Sequence, residues 1–253
     1  MNRRKFVRNS LVAASAVTAS ASLTKASTTL NARAAATTIA RRPLSSVASF
    51  TFARLRYSSG NWDADPKMPS NLLNSLVEYT SIRIDPNERI VDVSSSELAN
   101  YPFVYLTGNK MLRFTEQERA NLRRYLRNGG FMFVDDCNHD VDGTFAKTFE
   151  SEIKAVLDRP AEALRKLPKN HPLYRSFFEF KDGPPATSHE LNGWGDDMIH
   201  DYLQTIEIDN RIAVLYSNKD YGCEWNYDWA NKRFIAKDNT RFGVNIVVYA
   251  LTH

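Results

Sequence analysis

The chain has 253 residues, 43% of them hydrophobic, with 33 Lys and Arg against 29 Asp and Glu and a formal charge of +4. The positive balance sits at one end: residues 1–42 hold eight basic residues and no acid, leaving 25 basic against 29 acidic in the remainder. A mildly acidic body excludes the basic surface that nucleic-acid or anionic-membrane binding draws on, and its length suits one domain with a sizeable core.

In chain order, Met1-Asn2-Arg3-Arg4-Lys5-Phe6-Val7-Arg8 comes first, followed by a weakly apolar, Ala/Ser-rich run from Asn9 to Leu23. Basic, apolar and small residues in that order predict a cleavable twin-arginine leader with a flexible linker over residues 1–42. The run Leu11 to Leu23 is too short and too rich in Ser and Thr for the about 20 apolar residues of a bilayer span; a permanent anchor is the alternative. Small residues at Ala19-Ser20-Ala21, Ala32-Arg33-Ala34 and Ala34-Ala35-Ala36 offer cleavage points. The expectation is export to the periplasm by the twin-arginine translocase, already folded, with no stable membrane span after cleavage.

Residues 48–253 then read as a single α/β domain. Phe50 to Tyr57 alternates apolar and polar residues as a strand with one buried face. A helix follows from about Ser70 to Glu78, with Ser70 in the cap position, and Ile82-Arg83-Ile84 and Ile90-Val91-Asp92-Val93 read as short strands. Phe103 to Gly108 is an apolar strand. Thr115 with Glu118 forms a capping-box pattern opening a helix to about Arg127, Gly129-Gly130 stops it, and Phe131 to Val134 is a second apolar strand. Strand, helix, strand in that order implies a parallel crossover. Another helix spans about Phe145 to Val156. Asp182 to Met198, rich in Gly, Pro, Asn and Asp, reads as a long surface loop. Strands at Thr205–Ile208 and Arg211–Ser217, a polar loop through Tyr227 and an apolar helix from Thr240 to Leu251 complete the pattern. Near-continuous apolar strands between helices predict a three-layer α/β sandwich, a mostly parallel sheet with helices on both faces.

Ligands in such sheets bind beyond the carboxyl ends of the strands. The residues there are Tyr57, Trp62, Asp63 and Asp65; Thr107, Gly108 and Asn109; Asp135, Asp136, Cys137, Asn138 and His139; and Ser217, Asp220, Glu224 and Trp225. Asp135 and Asp136 stand out, because adjacent carboxylates at the end of a buried strand cannot both enter the core without a partner. With His139 they are the candidate catalytic residues, and Asp63 or Asp65 would add to a cation site or to acid–base chemistry. The spacing matches no established metal signature, so metal and cofactor stay open. The aromatic residues Tyr57, Trp62, Trp225, Tyr227 and Trp229 suit stacking on a carbohydrate or docking a periplasmic protein, or else burial under the loops. Cys137 stands where an amidotransferase nucleophile would, but Asp136 and Asn138 replace the small neighbours that a sharp elbow requires. Cys137 and Cys223 are either a disulfide or two thiols. His171, His189 and His200 read as loop residues.

The stretches Phe52-Ala53-Arg54-Leu55-Arg56-Tyr57 with Trp62-Asp63-Ala64-Asp65, Tyr101 to Gly108, Gly129 to Cys137, His171-Pro172-Leu173-Tyr174, and Arg211 to Ser217 with Asp220 and Trp225 together resemble the domain of unknown function 4159 family of exported bacterial proteins. The resemblance implies a flavodoxin-like sheet similar to class I glutamine amidotransferases and to ThuA-like domains. It brings no established reaction, but it implies company with cell-envelope ATPase and von Willebrand-type proteins. The function expected is therefore a non-enzymatic binding or assembly module of the cell envelope. The alternative is a carbohydrate-active or metal-assisted hydrolase using the aspartate-rich rim.

Overall fold

The computed structural model describes residues 49–158, 164–226 and 236–253. The leader expected over residues 1–42 and the aromatic residues Tyr227 and Trp229 lie outside the described residues. The strands are β1 (Ala53–Arg56), β2 (Arg89–Asp92), β3 (Phe103–Gly108), β4 (Phe131–Asp136), β5 (Arg165–Lys166), β6 (Gln204–Ile208) and β7 (Arg211–Ser217). They form one seven-stranded sheet in the order β2-β1-β3-β4-β7-β6-β5. The five strands from β2 to β7 pair in parallel, and β6 and β5 add an antiparallel edge. The carboxyl ends of β1, β3, β4 and β7 therefore share one edge.

The helices are α1 (Met68–Tyr79), α2 (Glu116–Arg127), α3 (Thr144–Leu157), α4 (Ser188–Leu191), α5 (Tyr221–Asn226) and α6 (Ala236–Thr252). Successive residues of a strand point to opposite faces, and the core divides accordingly. Phe52, Phe103, Tyr105, Phe131 and Phe133 join the apolar residues of α1, α5 and α6 in one cluster. Leu55, Val104, Leu106, Met132 and Val134 join those of α2 and α3 in the other. Buried on both sides, β3 and β4 have no polar face, which is why they read as continuous apolar runs.

Local signals fix several boundaries. Thr115 Oγ1 accepts from Glu118 N–H, and the Glu118 carboxylate accepts from Thr115 N–H at 2.7 Å, completing the capping box expected at α2. Gly129, at φ +101°, makes the left-handed turn that ends the same helix.

Three expectations are corrected. Ser70 is not a cap: α1 starts two residues earlier, with Pro69 in its first turn, and the Ser70 hydroxyl donates to the Lys67 carbonyl. Residues 82–84 make one bridge, Phe50 to Ile84, and Pro86 just beyond cannot donate to a ladder. The polar loop after β7 contains α5, because Asp220 Oδ1 accepts from Cys223 N–H and the i, i+4 pair Tyr221 and Trp225 stacks at 5.4 Å.

Candidate functional site

The residues that end β1, β4 and β7 meet at the shared carboxyl edge. From the β1 side comes Asp65, in the left-handed region at φ 57°. Its position is set by Arg54, 2% exposed, whose guanidinium donates to the carbonyls of Ala64 and Asp65 and pairs with Glu88 at 2.8 Å. From β7 comes Asp220, also left-handed at φ 56°, with Oδ1 on the Cys223 N–H and Oδ2 3.1 Å from His189 Nδ1. Cys137 follows β4 directly, and its N–H donates to the Gly108 carbonyl of β3 at 3.1 Å. One ligand-type atom from each of Asp65, Cys137, Asp220 and Cys223 lies within 4.8 Å of the other three. Cys137 Sγ is 3.6 Å from Asp65 Oδ2 and 3.5 Å from Cys223 Sγ, and neither cysteine is in a disulfide.

Few cations balance this group. Burial, then the charge of Asp65, pushes the Asp220 carboxyl up to about 7, and burial also raises Asp65. The hydrogen bond with Cys223 lowers the Cys137 thiol, but burial and the carboxylates of Asp220, Asp65 and Asp135 leave it raised overall. His189 is pushed down by burial.

Asp135 stands beside the group. It is fully buried, its Oδ2 accepts from Gly222 N–H at 2.5 Å, and its Oδ1 has no hydrogen-bond partner. Burial, then the charge of Asp220, holds its carboxyl well above the usual range. Gly222 is what lets these groups approach: a Cβ there would lie 2.6 Å from the Tyr105 hydroxyl and 2.7 Å from Asp65 Oδ2.

Strand alternation separates the two adjacent aspartates. Asp135 lies on the face of Phe131 and Phe133, whereas Asp136 lies on the face of Val134, where Tyr216 donates to its Oδ2 at 3.2 Å and Asn138 N–H to its Oδ1 at 2.9 Å. Burial raises the Asp136 carboxyl to about 7. The two adjacent candidates, of which one was expected to face the rim, are thus divided by the sheet.

His139 is not in the thiol and carboxylate group either. It has φ 50°, with Nδ1 2.6 Å from the Asn218 carbonyl and Nε2 3.0 Å from the Met198 carbonyl. It meets Asp196 and His200 in a second cluster, where Asp196 also takes the N–H groups of Val141 and Met198 and the His200 ring at 2.9 Å. These contacts clamp residues 188–200 against the loop after β4. Gly195, at φ +70°, completes the clamp, since a Cβ there would lie 1.8 Å from the His139 carbonyl.

The remaining expected residues lie outside the thiol and carboxylate group. The Tyr57 hydroxyl donates to the Thr107 carbonyl at 2.9 Å, and the ring packs on Phe114. Trp225 is 3% exposed in the opposite cluster, tilted against Phe133 and stacked on Tyr221. Trp62 packs against the Tyr57 side, with Arg56 over its ring, so among the described residues Tyr57, Trp62 and Trp225 make no common platform. Asp63 is exposed and outside the group. Thr107 Oγ1 donates to the Asp135 carbonyl, Gly108 leaves room for Tyr57 and Phe145, and Asn109 bonds to Asn61 and Asn138.

The composition of 182–198 predicts a surface loop, but Thr187, Ser188, His189 and Glu190 are buried. Glu190 receives Lys219 Nζ at 2.6 Å on both oxygens, with neither side chain exposed, and Glu224 accepts from Ser188 and Asn239. Glu190 reads as a solvated loop residue and Lys219 carries no signal, because polar residues among Gly, Pro and Asn look solvated until a fold covers them. A cavity of about 380 Å³, lined by Ser95, Tyr101, Asn121, Arg124 and Gly130, opens at the opposite edge, beside the start of β3 and β4. It holds none of this chemistry.

The model of the family described as Domain of unknown function (DUF4159) matches residues 51–251. The chain belongs to the DUF4159 family. The match spans the whole described sheet, so this DUF4159 domain contains all four residues of the thiol and carboxylate group. No curated protein matches the chain.

Proposed function

We propose that this DUF4159 protein is an exported module of the bacterial cell envelope, a flavodoxin-like three-layer domain that binds its ligand at the carboxyl edge of the sheet. The observation that carries the reading is the convergence of Asp65, Cys137, Asp220 and Cys223 from three strand ends. A nucleophilic thiol needs a lowered pKa, and Cys137 is raised. That argues for binding over amidotransferase-like turnover. The division of core residues between two helix sets supports the three-layer architecture. With Tyr57 and Trp225 in opposite clusters, a carbohydrate platform loses its aromatic support, which favours a periplasmic protein partner.

A metal-assisted hydrolase is the second reading, favoured by the Asp220 carboxyl near 7 at the carboxyl edge, within reach of general acid–base work. Export rests on Arg3 and Arg4 and on the Ala/Ser-rich run after them. Crosslinking in living cells tests location and partner together. The wild-type chain should fractionate with the periplasm and form adducts with envelope proteins, and an Arg3→Lys, Arg4→Lys chain should stay in the cytoplasm without them. Equal adducts from both chains, or none from either, would refute the module.

A further inference from the structure

We propose that Asp65, Cys137, Asp220 and Cys223 form a tetrahedral site for a divalent cation of zinc type, which is the ligand, or part of it, of the carboxyl-edge site. The inference rests on the binding reading above and deepens it. Its first support is metric. Tetrahedral zinc with Zn–S of about 2.3 Å and Zn–O of about 2.1 Å separates two sulfurs by about 3.8 Å and a sulfur from an oxygen by about 3.6 Å. The chain holds Cys137 and Cys223 sulfurs at 3.5 Å and Cys137 Sγ to Asp65 Oδ2 at 3.6 Å.

The second support is chemical. Two sulfurs exclude the hard cations calcium and magnesium, which take oxygen ligands, and select a borderline or soft ion. The third is electrostatic. Three buried carboxyls and two partly buried thiols share this space, and a divalent cation would place the largest local positive charge among them.

An independent observation beside the site points the same way. Asp135 is fully buried with Oδ1 unpartnered, and a Cβ built on Gly222 would come within 3.2 Å of Asp135 Oδ2 and 2.7 Å of Asp65 Oδ2. A fully buried, half-satisfied carboxylate next to two ligand carboxylates is costly in an apolar interior and stabilising beside a cation. His189, 3.1 Å from Asp220 Oδ2, is a positioning residue that orients the ligand carboxylate. Both cysteines are partly exposed, which leaves the cation a path in.

Four protein ligands fill a tetrahedral shell and leave no open position for substrate, the arrangement of a structural rather than a catalytic zinc. This agrees with a binding module. Export of an already folded chain would let a cation taken up in the reducing cytoplasm keep the two thiols from pairing afterwards.

The test is elemental analysis of the full chain purified with reductant and without chelator, followed by zinc competition titration and cobalt substitution. Expected are about one zinc per chain and a sulfur-to-cobalt charge-transfer band. Cys137→Ser and Asp220→Asn should each weaken zinc about 100-fold or more, and His189→Gln about 10-fold. If those variants fail to fold, alkylation of the wild-type chain decides: zinc should protect Cys137 and Cys223, and chelation should expose them. A folded, reduced chain that takes up neither zinc nor cobalt overturns the site, as does a metal-free periplasmic chain with Cys137 bonded to Cys223. If that happens while envelope adducts persist, only the metal assignment falls. If zinc binds and zinc-dependent hydrolysis appears, the metal assignment stands and the non-catalytic module falls.

Discussion

Lys219 shows how a single residue can govern this site. Its ammonium is fully buried, donates to both oxygens of Glu190 and reaches the His200 carbonyl at 2.5 Å, and burial pushes its pKa down. Removing one member of a buried pair leaves an uncompensated charge, at a cost of about 3–5 kcal/mol. Glu190→Gln should therefore lower unfolding free energy by about 3 kcal/mol in a urea titration, and adding Lys219→Met should recover part of that loss. An additive double variant would show that the two side chains do not interact. Glu190 also caps α4 through the Thr187 N–H, so the pair fixes His189 next to Asp220.

Among elements, the short 3-10 turn at Pro172–Arg175 carries a pH dependence separate from the carboxyl edge. His171 caps it with Nδ1, which accepts from Leu173 N–H at 3.2 Å, while the ring packs on Tyr249. Burial lowers the imidazole pKa from 6.5. The unfolded chain then takes up its proton first as pH falls through about 6.5, so this group's contribution is complete above that pH and is lost below it. Asn at this position keeps a capping oxygen and cannot titrate. Between about pH 7.5 and about pH 5.5 the wild-type Tm should fall more than that of His171→Asn. Parallel curves would mean that His171 does not titrate differently on folding.

At the scale of the whole molecule, the sheet is held by a row of rings across neighbouring strands. Phe103, 1% exposed, meets Phe50 at 5.6 Å, Phe52 at 5.8 Å and Phe131 at 5.9 Å. Phe103→Ala should cost about 3–5 kcal/mol, because the surrounding strands cannot collapse into the space. For a domain of this size that is on the order of 10 °C in Tm. Calorimetry showing a shift under about 2 °C would place the stabilising core elsewhere. The same sheet sets function, since parallel pairing of β1, β3, β4 and β7 carries their following residues to a single edge.

The sequence alone determined the strands and helices whose signals are local. Phe103 to Gly108 and Phe131 to Val134 were legible because burial on both faces demands unbroken apolar runs, and Thr115 with Glu118 because a capping box lies within one helical turn. It also pointed to the carboxyl edge, where Asp65 and Asp220 come together and Asp135 stands beside them. What it did not determine was which of those residues meet. Period-two alternation sent Asp136 to the far face, the tertiary cover of residues 187–190 buried a segment that composition painted as solvated, and α5 replaced a loop once Asp220 capped it. Cys223 is 86 residues from Cys137, and only the pairing of β4 with β7 sets their sulfurs 3.5 Å apart. Contacts over such separations depend on which strands become neighbours, and strand order is a property of the assembled sheet rather than of any local stretch.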